Sequence, residues 1–195
     1  MRWLFMLALV ASCGDDGPSS TVYFDLDGSI GEAETFWNLP FPSDLRLAPS
    51  GAPDMTGFPN PRGVPLLTSL LTNADERRGW PTMPIAYVRF TAPVPERAVT
   101  DVLGDEAVLI DIDDTSPERG ATYPIVAKTL IKDNYVADYL VALAPRPGIT
   151  LRAGTRYAYV IREAFAPGFA APAGFAALAA GRTPAGPRGG DAVAL

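Results

Sequence analysis

The side chains able to do chemistry are few, and their types narrow that chemistry at once. The chain has no histidine, which excludes a Ser-His-Asp triad, a Cys-His pair and a histidine-ligated zinc site. No G-x-S-x-G string occurs, and the nearest run, Gly28-Ser29-Ile30-Gly31, has the wrong spacing for a nucleophile elbow. A P-loop and a dinucleotide fingerprint are also missing from the sequence. What remains is carboxylate or Ser-Lys chemistry, for which no constellation stands out, and oxygen ligands for a hard cation. Asp111-Ile112-Asp113-Asp114 with Glu118, and Asp25-Leu26-Asp27-Gly28 with Glu32, are the two acidic strings to weigh. Calcium takes about six to eight oxygens, and neither string has the spacing or the terminal bidentate Glu of an EF-hand loop. They read instead as turns whose Asp side chains accept from nearby backbone amides, as does Asp133-Asn134. The expectation is of no catalytic residue, no metal site and no cofactor.

One thiol is left. Cys13 is the only cysteine, and it follows a positive residue, Arg2, an unbroken apolar run from Trp3 to Val10, and the small residues Ala11-Ser12. That run is well short of the roughly 20 apolar residues needed to cross a bilayer. It has the proportions of the hydrophobic region of a signal peptide ahead of a cleavage zone. Val10-Ala11-Ser12-Cys13 resembles the lipobox of bacterial lipoproteins. The resemblance implies a diacylglycerol thioether on Cys13, cleavage of residues 1–12 as a signal peptide, and a further acyl group on the freed amine. Each buried methylene adds about 0.8 kcal/mol, so two or three chains make a stable anchor. Residues 13–20, polar and turn-rich, read as a lipidated tether. The expected location is the cell envelope outside the cytoplasm, with the membrane as partner through the anchor. Gly14 in place of Asp favours the outer membrane under enterobacterial-type sorting rules.

Composition limits other partners. The net charge is −6 and no basic patch is visible, which argues against nucleic acid. With its one cysteine committed to lipid, the chain forms no internal disulfide, and its fold rests on apolar burial. Thr21 to Leu195 is long enough for one domain with a real core or two small ones.

The elements that must carry these residues are mostly short strands. Thr21 to Leu26 is a β-branched and aromatic run ended by Asp27-Gly28. Phe36 to Leu45 holds closely spaced prolines that forbid a helix and a central strand, so it is expected as an irregular ribbon pinned by its aromatic side chains. Phe36, Trp37 and Phe41 could form a binding platform, but packing over the sandwich or against a following domain is preferred, because burial is what would hold such a ribbon. Leu66 to Asp75 reads as a short helix with Leu66, Leu67, Leu70 and Leu71 on one face. Strands follow at Ile85 to Phe90, Ala107 to Ile112, Tyr123 to Ile131, Tyr135 to Leu143 and Arg156 to Arg162. The predicted class is all-β, a sandwich with few short helices.

Two resemblances refine this. From Ala86 to Phe165 the chain is similar to bacterial Ig-like domains, with an opening "YVRFTAPV" answered by "LRAGTRYAYVI". In that hairpin Leu151 is expected to plug the core, Gly154 to take the turn, and Tyr157, Tyr159 and Ile161 to point inward. "WNLPFPSDLRL" followed by "GFPNP" resembles the start of the amino-terminal domain of virulence-factor-type bacterial surface lipases. Their α/β-hydrolase domain lies further along, and the present sequence stops before any such elbow. The resemblance implies an accessory module, or a truncated or split gene product, rather than a lipase, with a hydrolase domain or protein as a possible partner. The alternative is a stand-alone envelope lipoprotein that binds a ligand or another envelope protein. The expected organisation is a ribbon over 21–84 packing on an Ig-like β-sandwich over 85–166, then an Ala/Gly/Pro-rich tail or linker over 167–195, with a helix from Ala173 to Ala180 and a disordered end.

Overall fold

The structure, a computed structural model, describes residues 20–28 and 31–195. Cys13, the signal-peptide segment and most of the expected tether lie outside the described residues. Strands dominate the regular structure. β1 is Ser20–Thr21, and after the helix α1 (Pro65–Ala74) come β2 (Ala86–Arg89), β3 (Ala107–Asp111), β4 (Thr122–Tyr123), β5 (Ile125–Thr129), β6 (Leu140–Pro145) and β7 (Tyr157–Ile161). β8 (Phe169–Ala170) and the helices α2 (Ala173–Ala179) and α3 (Gly189–Ala194) complete the order.

β2-β6-β5 and β4-β3-β7 form two antiparallel three-stranded sheets, and β1 pairs in parallel with β8. Alternation explains the core. Ala86 and Val88 of β2, Val141 and Leu143 of β6, and Ile125 and Ala127 of β5 meet Ala107 and Leu109 of β3 in one buried cluster, which Phe90, Leu151 and Phe165 close. Two sheets facing a common core make a sandwich-like, all-β arrangement.

Several boundaries differ from the sequence expectation, each for a local reason. Tyr123 to Ile131 is not one strand. Pro124 has no N–H for a ladder, and the chain changes sheets there, so that Thr122–Tyr123 pairs with β3 while Ile125–Thr129 pairs with β6. Tyr135 to Tyr139 is a turn rather than the start of β6, because Asp133 Oδ1 accepts from the amides of Tyr135 (2.7 Å) and Val136 (2.9 Å). The run from Thr21 to Leu26 makes little ladder; beyond β1 it has a single bridge, Val22 to Phe90.

The proline-rich segment 21–84 is irregular apart from α1 and the 3-10 turns Phe36–Asn38 and Asp44–Arg46. Its proline-rich ribbon also pairs with a sheet edge, which was not expected: Phe41 and Tyr87 exchange both backbone bonds, at 3.0 and 2.5 Å, along the edge of β2. The end of the tail is ordered rather than disordered. α2 forms where a helix is expected, α3 forms beyond it, Arg188 N donates to Leu26 O at 3.3 Å, and Ala192 rests on Leu26 and Leu39. The Ala, Gly and Pro of the tail conceal that docking in a composition that reads as linker.

Candidate functional site

The acidic strings accept mainly from amides and hydroxyls of the turns in which they lie. Asp111 closes β3 and is buried; its Oδ1 accepts from Asp113 N (3.0 Å) and its Oδ2 from Ser116 Oγ (2.6 Å). Asp113 Oδ1 accepts from the amide and hydroxyl of Thr115, and its Oδ2 accepts from Arg156 N at 3.1 Å. These bonds hold the Asp113 carboxyl below its ordinary value, the Thr115 hydroxyl contributing most. Asp25 Oδ1 accepts from the amides of Asp27 and Gly28. Glu118 lies with Tyr123 and Arg152, and Asp114 with Arg119. Among the described residues no group of three or more acidic or thiol side chains is placed to hold a metal ion.

The hairpin residues have the places expected of them. Leu151 is buried, Gly154 takes φ 68°, and Tyr157, Tyr159 and Ile161 pack against the core from β7. The Tyr159 hydroxyl donates to Pro84 O at 2.9 Å, and burial pushes its phenol well above the ordinary value. Arg97 ties β3's approach to the end of the sandwich, pairing with Glu106 at 2.6 Å and donating to Phe165 O at 2.8 Å.

The aromatic ribbon builds a second core on the outer face of β2 and β6. Phe36 and Trp37 are buried beside Leu140, with ring centroids 5.0 Å apart, and Phe58 of the "GFPNP" string stands 5.2 Å from Phe36. Trp37 Nε1 donates to Tyr135 O at 3.1 Å, which ties the ribbon to the β5–β6 connection. Arg46 is buried behind this cluster, its guanidinium 4.0 Å from the Phe36 ring centroid and donating to Phe36 O at 2.9 Å. Burial pushes its pKa down to about 10, with Asp54 opposing the fall. Of the two packings expected for Phe36, Trp37 and Phe41, over the sandwich or against a following domain, this placement is the first.

Two concave features flank Phe41. One, of about 310 Å³, lies among Trp37, Phe58, Tyr87, Val136 and Leu140. The larger, about 590 Å³, is walled by Phe41, Pro42, Trp80, Pro84 and Ile85, with Arg77 and Arg78 at its edge. Such volumes fall in the range of small-molecule sites. The larger cleft offers apolar surface, one hydroxyl (Thr82) and two guanidiniums, but no carboxylate and no thiol among its walls. Sequence reasoning named Phe41 but missed Trp80, which stands alone between Gly79 and Pro81 with no periodicity to mark it.

No family model, curated protein or solved structure matches this chain.

Proposed function

We propose that the chain is a lipid-anchored, extracytoplasmic accessory module, the non-catalytic amino-terminal part of a surface lipase- or esterase-like protein, built on an Ig-like β-sandwich. The observation that carries this reading is the fate of the chemistry-bearing side chains. The Asp25, Asp111 and Asp133 carboxylates are all spent on nearby turn groups, and the larger cleft has no base among its walls. The leader ending at Cys13 supports the anchor, and "WNLPFPSDLRL" supports the hydrolase context. The test has two arms. Cys13→Ala should abolish incorporation of labelled palmitate in cells; undiminished label removes the anchor from the reading. The purified protein should hydrolyse neither short nor long acyl esters above buffer, and turnover that survives repurification overturns the non-catalytic assignment.

The cleft beside Trp80 favours a second reading, a stand-alone envelope lipoprotein that binds a ligand. The reading frame immediately downstream separates the two. A serine hydrolase lacking its own signal peptide there supports the accessory module, and an unrelated neighbour supports the binder.

A further inference from the structure

α1 presents an apolar surface along which, among the described residues, no strand or helix packs extensively. Leu66 is 70% exposed and Leu70 56% exposed, one turn apart on the same face, and Val64 at the amino-terminal cap is exposed too. The helix carries no charge from Pro65 to Ala74. Its three hydroxyls are already satisfied within it: Thr68 donates to Val64 O, Ser69 to Pro65 O and Thr72 to Thr68 O, at 3.0 to 3.2 Å. A hydroxyl bonded to the preceding turn loses little when water is removed. The amino-terminal end is set by Asn60, whose Oδ1 accepts from Val64 N at 2.9 Å. This helix is cheap to desolvate, although it stands in water.

Its flanks have a different character. Arg62 precedes it and Arg77 and Arg78 follow it; none of the three forms an ion pair among the described residues, and they outnumber Asp75 and Glu76 in a chain of net charge −6. Past the arginines the exposed apolar surface resumes with Met83 (67%) and Ile85 (47%), and Ile85 shares the wall of the larger cleft with Trp80 and Ala74, the last residue of α1. An uncharged helix with exposed leucines, bounded by guanidiniums and continued by Trp, Met and Ile, has the chemistry of a segment lying at a headgroup boundary. Apolar side chains enter about 5–10 Å there, and cations meet lipid phosphates. At about 1.5 Å per residue the helix is far too short to span.

We infer that α1 and the 77–85 segment form a docking face for an anionic lipid surface. This rests on the reading of the protein as one that works at a membrane. Its test is independent of acylation, because the full-length Cys13→Ser chain cannot be lipidated there and then has no other thiol. A polarity-sensitive fluorophore is attached through Leu70→Cys in that background, and in a parallel sample through Ile131→Cys, a site 87% exposed and remote in sequence. Both are mixed with vesicles of phosphatidylcholine and phosphatidylglycerol. The label at 70 should shift to the blue and be quenched by spin-labelled lipid, while the label at 131 stays water-like. Leu66→Asp should remove most of the shift at 70, and Arg77→Gln with Arg78→Gln, or about 1 M salt, should weaken it severalfold. No shift at 70, or equal shifts at both sites, overturns the inference. A concentration-dependent shift at 70 without vesicles assigns the face to contact between copies and overturns it as well. Failure of palmitate labelling in the wild type leaves this result untouched.

Discussion

At the scale of single residues, the fold uses its charged groups as fasteners. Asp111 shows how much one buried carboxylate can hold: it fixes the amide of Asp113 and the hydroxyl of Ser116, and so shapes the exit from β3. Asp111→Ala should cost about 1–3 kcal/mol by leaving those donors without their acceptor, measurable in a urea melt. Asp113 gives the pH dependence. Its folded pKa is depressed, so its contribution is fully present above the ordinary carboxyl value of about 4 and is lost as pH falls through the lower folded value. The amide resonances of Thr115 and Arg156, whose groups bond its two oxygens, should move together in that acid window. If they stay fixed down to pH 2, the carboxylate is not what holds the turn.

At the scale of elements, the ribbon and the hairpin are load-sharing partners of the same sandwich. Trp37→Ala should cost about 3–5 kcal/mol, the range for removing a buried aromatic, because its ring packs against Phe36, Phe58 and Tyr87. Tyr159→Ala should fall at the lower end of that range, being half-buried, and Tyr159→Phe should cost about 1 kcal/mol for the bond to Pro84 O. Thermal melts of the three variants rank them; a mild Trp37→Ala would mean that the ribbon is not part of the folded unit. The alternation of Tyr157, Tyr159 and Ile161 and the turn at Gly154 were legible in the sequence, because period-two patterning and a turn glycine are local signals. The sheet change at Pro124 was less so: a proline inside a strand-like run announces a break without saying which sheet each half joins. The larger cleft could not be read at all, since Phe41, Trp80 and Ile85 meet only through tertiary folding.

At the scale of the whole molecule, the tail is part of the fold. Gly186 takes φ 103° with Leu26 O 2.7 Å from where a Cβ would sit and the Asp27 carboxylate closer still, so Gly186→Ala should lift α3 from Leu26 and Leu39. Limited proteolysis should then cut within 182–195 while the main melt changes little; an unchanged digestion pattern would mean that the tail is held by something other than this approach. The start of the described chain is stitched from two sides. Ser20 and Thr21 lie parallel to Phe169 and Ala170, while Thr21 exchanges bonds with Thr91 and Tyr23 N donates to Arg89 O. A pull on the chain at Ser20 directed along this strand is therefore resisted by several backbone bonds in shear, not broken one at a time as in an unzipping hairpin. Such a load passes at once into β8 on one side and into the end of β2 on the other, so no single strand carries it alone.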